Sequence, residues 1–152
     1  MSNKAIIKRL AELGYNYQPA ALEILTFHAA TRSGKLIFTS GQIPFLDGKE
    51  IKGKVGADID LATAQKAAEI CAFNCLRAAG AVVDIRSITR VVKVLGLVNA
   101  ADGFDKMSEV INGCSNFLQK VFGEKSGHAR SAVGARLPSN WAVEVEMILT
   151  TE

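Results

Sequence analysis

From Val143 to Met147 the chain alternates strictly between apolar and acidic residues: Val143, Glu144, Val145, Glu146, Met147. In a strand successive side chains point to opposite faces. Val143, Val145 and Met147 therefore share one face, and Glu144, Glu146 and Ile148 share the other. A strand written this way commits the chain to a sheet with one face packed on a core. A second β-like run, Ala129-Arg130-Ser131-Ala132-Val133, precedes it across Arg136-Leu137-Pro138. An Arg in one strand and alternating Glu in the next can set a fixed cation near carboxylates on one sheet, an arrangement suited to a small acidic molecule. Taken by itself, the segment favours the plainer reading: a solvated Glu face and a surface Arg paired with Glu.

The rest of the chain supplies the partners of that sheet. Residues 3–13 read as a helix with Ile6, Ile7 and Leu10 on one face and Gly14 as its stop. Residues 15–24 read as an irregular connection. Leu25 to Arg32 and Lys35 to Ser40 read as two strands around Ser33-Gly34. Residues 45–58, with Asp47-Gly48, Gly53 and Gly56, form a loop with room for a small extra strand. Asp60 caps a helix that runs to about Ala79 and closes at Gly80. Its small face, Ala64, Ala67, Ala68 and Ala72, permits close approach to a sheet. Residues 88–98 are apolar and β-branched, which predicts a central strand. Asp102 or Asp105 starts a second long helix through about Phe122, and two final strands follow around Leu137-Pro138.

The order is an extra N-terminal helix, then β-β-α-β-α-β-β. It predicts an α+β fold with helices packed on one face of a mixed sheet. The other face then needs a cover, and subunit association is the expected one. At 152 residues a single domain is expected, with residues 1–24 as helix and connection and 25–152 as core.

Composition excludes several classes. No apolar run is long enough to span a membrane. The start carries Lys4, Lys8, Arg9 and Glu12 among its apolar residues, which argues against a signal peptide and, through the acidic residue, a transit peptide. Three cysteines, an odd number, fit a reducing compartment, so a cytoplasmic location is expected. Cys71 and Cys75 share a helix face and read as core or interface filler. The two histidines, His28 and His128, form no cluster with zinc spacing. Net charge is +3, the basic residues are scattered and aromatics are only 7%, which argues against a nucleic-acid partner.

Four segments together resemble one family. They are Phe38-Thr39-Ser40-Gly41-Gln42-Ile43-Pro44, the helix ending at Gly80, Asn112 in the second long helix, and Ala129-Arg130-Ser131 through the Glu-x-Glu strand. They resemble the Rid family, the reactive intermediate deaminases, also called YjgF-type or L-PSP endoribonuclease-like proteins. The resemblance implies a chorismate-mutase-like fold, a homotrimer with a central barrel of sheets, and sites at subunit clefts. It implies hydrolysis of imines and enamines, such as 2-aminoacrylate, to a 2-keto acid and ammonia, with no cofactor and no metal. By the same resemblance Arg130 holds the substrate carboxylate and Glu144 positions or activates water. A guanidinium suits the first role because its planar fork stays charged. Gly41 lies where a Cβ would intrude on the ligand; Ser40, Ser131 and Asn112 line the site; Glu146 is structural.

The departures point to a divergent subgroup. Phe27 stands where a Tyr is usual, so the ring walls the pocket without a hydroxyl. Ala132 replaces a common Cys. His128 stands where Pro is frequent; alternation puts it on the face of Arg130, and it reads as a pocket residue or as a surface or interface His. One residue is missing between Val133 and Arg136, which would remove a bulge. Two other functions stay open: a non-catalytic binding protein for a small carboxylate, and an RNA-cleaving protein.

Overall fold

The computed structural model describes residues 5–152. Residues 3 and 4, the start of the expected first helix, lie outside the described residues. The helix α1 spans Ile6–Glu12, and it ends where Gly14 takes φ +90°, a conformation open to glycine at little cost. Ile6 and Leu10 are fully buried. Ile7 was expected on the same face and is instead 40% exposed, because one step along a helix turns a side chain well away from its neighbour.

Paired strands and two long helices build the rest. The short strands β1 (Glu23–Ile24) and β2 (Phe27–His28) form a small hairpin of their own. The strands β3 (Ala30–Ser33) and β4 (Leu36–Thr39) form the next. The single strand expected over 25–32 is thus split, and β1 falls in what read as irregular connection. Leu25 takes φ +53°, which turns the chain between β1 and β2. The loop after Gly41 carries β5 (Phe45–Leu46) and β6 (Lys49–Glu50), paired across Asp47-Gly48.

The helix α2 spans Leu61–Ala79, and the Asp60 carboxylate accepts from the Thr63 N–H at 2.8 Å, the expected N-cap. Strand β7 is Ile88–Val98, helix α3 is Met107–Phe122, strand β8 is Ala129–Gly134 and strand β9 is Val143–Thr151. Helix α3 begins neither at Asp102 nor at Asp105. Lys106 holds the cap position with no side-chain hydrogen bond, and residues 99–106 form the turn out of β7.

The main sheet has the order β3-β4-β9-β7-β8. Only β7 and β8 run parallel, joined by α3 as the crossover that a parallel pair requires. Both long helices pack on one face. Val143, Val145, Met147 and Leu149 of β9 are buried there, as the alternation predicts. The contact is close because the facing residues are small. Gly96 has no side chain where the Ile111 side chain of α3 lies, and Gly113 has none where α3 meets the backbone of α2 at Gln65. The three cysteines are buried and unpaired. The Cys75 thiol lies 3.2 Å from the Val145 carbonyl, and burial pushes the Cys71 and Cys75 thiols far above their usual range.

Tyr15 ties the N-terminal part to this core. Its ring packs on Phe73 and Phe117, and its hydroxyl donates to Glu69 at 2.6 Å while accepting from Lys66. Burial, with the Glu69 carboxylate behind it, raises the phenol to about 12. Gly80 closes α2 for a packing reason: its φ is an ordinary helical −62°, but a Cβ there would strike the Tyr17 hydroxyl.

Among the described residues no helix lies on the opposite face of the sheet. Leu36 and Phe38 of β4 and Val133 of β8 stay exposed there, beside the half-buried Leu95, Leu97 and Ile148. Among the described residues no helix is long and apolar enough to cross a membrane.

Candidate functional site

Arg130 sits in β8, the edge strand beside α3. Register pairs it with Val94, whose side chain is buried under the helices, so Arg130 points to the helix side. There its guanidinium meets one stripe of α3: Ser108, Asn112 and Ser115, spaced i, i+4 and i+7. Nη1 donates to Asn112 Oδ1 at 2.8 Å and to Ser115 Oγ at 3.1 Å. Nη2 donates to Ser108 Oγ at 2.7 Å and, weakly, to the Ser108 carbonyl at 3.3 Å. The Nε–H makes no hydrogen bond among the described residues. A carboxylate can therefore dock side-on, taking Nε–H and the Nη2 hydrogen that Ser108 holds least well. Beneath this array Cys114 is buried, and its thiol is raised to about 12 even though Arg130 pulls the other way. It is packing, not a nucleophile.

His128 joins the same array. Its Nε2 lies 3.0 Å from Ser115 Oγ, and its Nδ1 lies against the Ser126 carbonyl. His128 and Arg130 thus flank one serine.

Glu144 lies elsewhere. In β9 it pairs with Leu97 on the face without helices. Strand β7 separates β9 from β8, so the two backbones are about 10 Å apart by strand spacing. Arg130 and Glu144 therefore sit on opposite faces of one sheet, and within one chain the cation and the carboxylates are not brought together. The expectation of a shared face assumed that the two strands were neighbours, and a parallel strand inserted between them breaks that assumption.

Gly41, Ser40 and Phe27 belong to the Glu144 side. A Cβ on Gly41 would come within 2.9 Å of the Glu144 Cδ, so glycine here makes room for the carboxylate itself. Main-chain bonds between Gln42 and Val145, at 2.8 and 3.0 Å, clamp this turn onto β9. Ser40 Oγ donates to the His28 carbonyl at 2.7 Å, which fastens β2 and the half-exposed Phe27 beside the turn. Glu144 makes no hydrogen bond among the described residues. Partial burial first, and the neighbouring charge of Glu146 second, raise its carboxyl above the usual range. Ser131 pairs with Leu95 and faces this side too, away from Arg130.

Two groups of residues thus stand apart. The cation group is Arg130, Asn112, Ser108, Ser115 and His128; the carboxylate group is Glu144, Gly41, Ser40 and Phe27. Sequence reading missed Ser108 and Ser115, although helical spacing from Asn112 would have found both. A separate cleft of about 510 Å³ is lined by Ile7, Tyr17, Asp84 and Arg86 among others. There Arg86 holds Asp84 down at about 2, and burial raises the Tyr17 phenol to about 12.

The sequence pattern of the family described as Endoribonuclease L-PSP matches residues 18–151. The chain belongs to that family. Protein TCP17 of Trypanosoma cruzi is 36% identical over 148 residues, covering 95% of this chain and 92% of that one. The crystal structure of Atu1372 from Agrobacterium tumefaciens, itself described as of unknown function, matches with a TM-score of 0.90 at 40% identity, over 99% of this chain and 94% of that one. The YjgF gene product of E. coli matches with a TM-score of 0.58 at 24% identity, over 88% and 94%, and shows the fold alone. An L-PSP family α+β fold, chorismate-mutase-like with helices on one face of a mixed sheet, is what this chain adopts.

Proposed function

We propose that this L-PSP family member hydrolyses small imines or enamines that carry a carboxylate, yielding a 2-keto acid and ammonia. Arg130 anchors the substrate carboxylate. With an enamine first tautomerised to its imine, Glu144 accepts a proton from water as its oxygen adds to the carbon of the protonated C=N group and passes that proton to the amine nitrogen, and the carbinolamine then collapses to the C=O with loss of its hydroxyl proton and release of ammonia. Water is the nucleophile, so the reaction needs no cofactor.

The observation that carries this reading is the Arg130 array: a fixed guanidinium on a partly exposed edge, with its Nε–H unengaged. The Glu144 carboxyl complements it. Its raised pKa makes it a stronger base when ionised, as a water-activating group requires. Because the two groups lie on opposite faces of one sheet, one chain does not complete the site. A cleft between copies does, with Arg130 from one and Glu144 from another. The face without helices, with Leu36, Phe38 and Val133 exposed, is the surface that a homotrimer would cover.

Binding without catalysis is the second reading, favoured by Phe27, which offers a wall but no hydroxyl at the carboxylate group. RNA cleavage, named in the family's description, is not adopted. His128 is engaged at both ring nitrogens by Ser115 and Ser126, which leaves it unsuited to proton transfer with a nucleic acid.

The test is a coupled assay in which an amino-acid oxidase generates imino acids and semicarbazide traps what remains. The reading predicts that the protein lowers the trapped imine and that Arg130→Ala does not. If the wild type matches buffer across a panel of amino acids but binds pyruvate in calorimetry, the binding reading replaces it.

A further inference from the structure

We propose that Ser115 and His128 are positioning residues that aim the Arg130 guanidinium at its carboxylate ligand; this rests on reading Arg130 as the anchor. The argument is one of hydrogen-bond direction. His128 Nδ1 lies against the Ser126 carbonyl oxygen, which can only accept. Nδ1 therefore carries the hydrogen, and in that tautomer the lone pair is at Nε2. That lone pair faces Ser115 Oγ at 3.0 Å, so the serine hydroxyl donates to it. With its hydrogen so committed, Ser115 Oγ turns a lone pair to Arg130 Nη1, 3.1 Å away.

The result is a chain with a single direction. Arg130 Nη1–H donates to Ser115, Ser115 donates to His128, and His128 donates to the Ser126 carbonyl. Each bond polarises the next, so the chain holds more firmly than its members taken singly. Without His128, the Ser115 hydroxyl can rotate and is free to donate to its own helix carbonyls, as serines inside helices do. Nη1 then keeps only Asn112 as a defined acceptor. Held by Asn112 at Nη1 and Ser108 at Nη2 alone, the guanidinium is less firmly fixed, and the edge bearing Nε–H loses part of its aim.

His128 sits one residue before β8, which starts at Ala129, and Ser126 closes the short 3-10 turn Gly123–Ser126 after α3. The relay therefore links the end of the crossover to the strand that carries Arg130. Neither residue touches the incoming carboxylate in this arrangement. Both act through Arg130.

Calorimetry with pyruvate as the probe, on the full chain, tests this. Ser115→Ala and His128→Leu should each weaken pyruvate binding about fivefold, the net worth of about one ordinary hydrogen bond. Ser115→Thr and His128→Gln, which keep a hydroxyl and an acceptor, should bind within about twofold of wild type. The double variant Ser115→Ala/His128→Leu should bind no worse than either single one, since the two act in series. Thermal melting of each variant separates this from general destabilisation, which the conservative pair would not rescue. If Arg130→Ala abolishes binding while Ser115→Ala and His128→Leu bind as wild type, the inference falls and the anchor stands. If Arg130→Ala binds as wild type, or if the wild type does not bind pyruvate, the anchor reading fails and takes the inference with it.

Discussion

The guanidinium of Arg130 makes four hydrogen bonds to a single helix, whereas the carboxylate of Glu144 makes none among the described residues. One group is clamped from behind by Ser108, Asn112 and Ser115. The other is shaped by exclusion, with glycine at position 41 leaving it space, and partial burial, then the like charge of Glu146, raising its pKa. The difference fits two distinct tasks. An anchor gains from being immobile before its ligand arrives. A base gains from a poorly solvated, unpaired carboxylate that water can approach.

The largest expected effect comes from breaking the clamped side. Arg130→Ala removes the ligand's counter-charge and strands three helix acceptors, so kcat/KM for imine hydrolysis should fall about 10²-fold or more, chiefly through KM. A variant that keeps its KM would show that the carboxylate is held elsewhere. On the open side, Glu144→Gln should lower kcat by about 10²-fold with KM little changed. Equal loss in both parameters would make Glu144 a binding group instead. Gly41→Ala should follow with about a tenfold loss in kcat, because the new methyl would displace the Glu144 carboxylate by some tenths of an ångström. Activity at the wild-type level would mean that Glu144 can move without consequence.

The smallest effect sharpens the comparison through pH. As the proposed base Glu144 would act only when ionised, and its folded pKa is raised, by burial first and by Glu146 second. Activity should therefore fall on the acid side at a higher pH than an ordinary glutamate would give. Glu146→Gln removes the like charge, lowers the Glu144 pKa, and should move that acid limb to lower pH. A limb that stays in place would assign the titration to another group.

Much of this fold is legible in the chain. The alternation at 143–147, the Asp60 cap and the apolar run at 88–98 each correspond to the element expected. Each rests on local chemistry that a one-dimensional reading can use. The start of α3 was not legible, because Lys106 supplies no capping side chain, whereas Asp102 and Asp105 offered the usual signal. The short hairpin β1–β2 escaped for a similar reason: its turn depends on Leu25 at a positive φ, which a leucine does not announce. The separation of Arg130 from Glu144 lies in strand order. That β7 stands between β8 and β9 is a property of the assembled sheet, and no spacing along the chain encodes it.

The central claim is that a working site needs Arg130 from one copy and Glu144 from another. It is tested by unfolding Arg130→Ala and Glu144→Gln together in equal amounts, refolding the mixture, and measuring imine hydrolysis beside each variant alone. Random assortment places an intact Arg130 opposite an intact Glu144 in about a quarter of shared sites, so the mixture should recover about a quarter of wild-type activity while each variant alone stays near background. A mixture no more active than its two components would contradict the shared site.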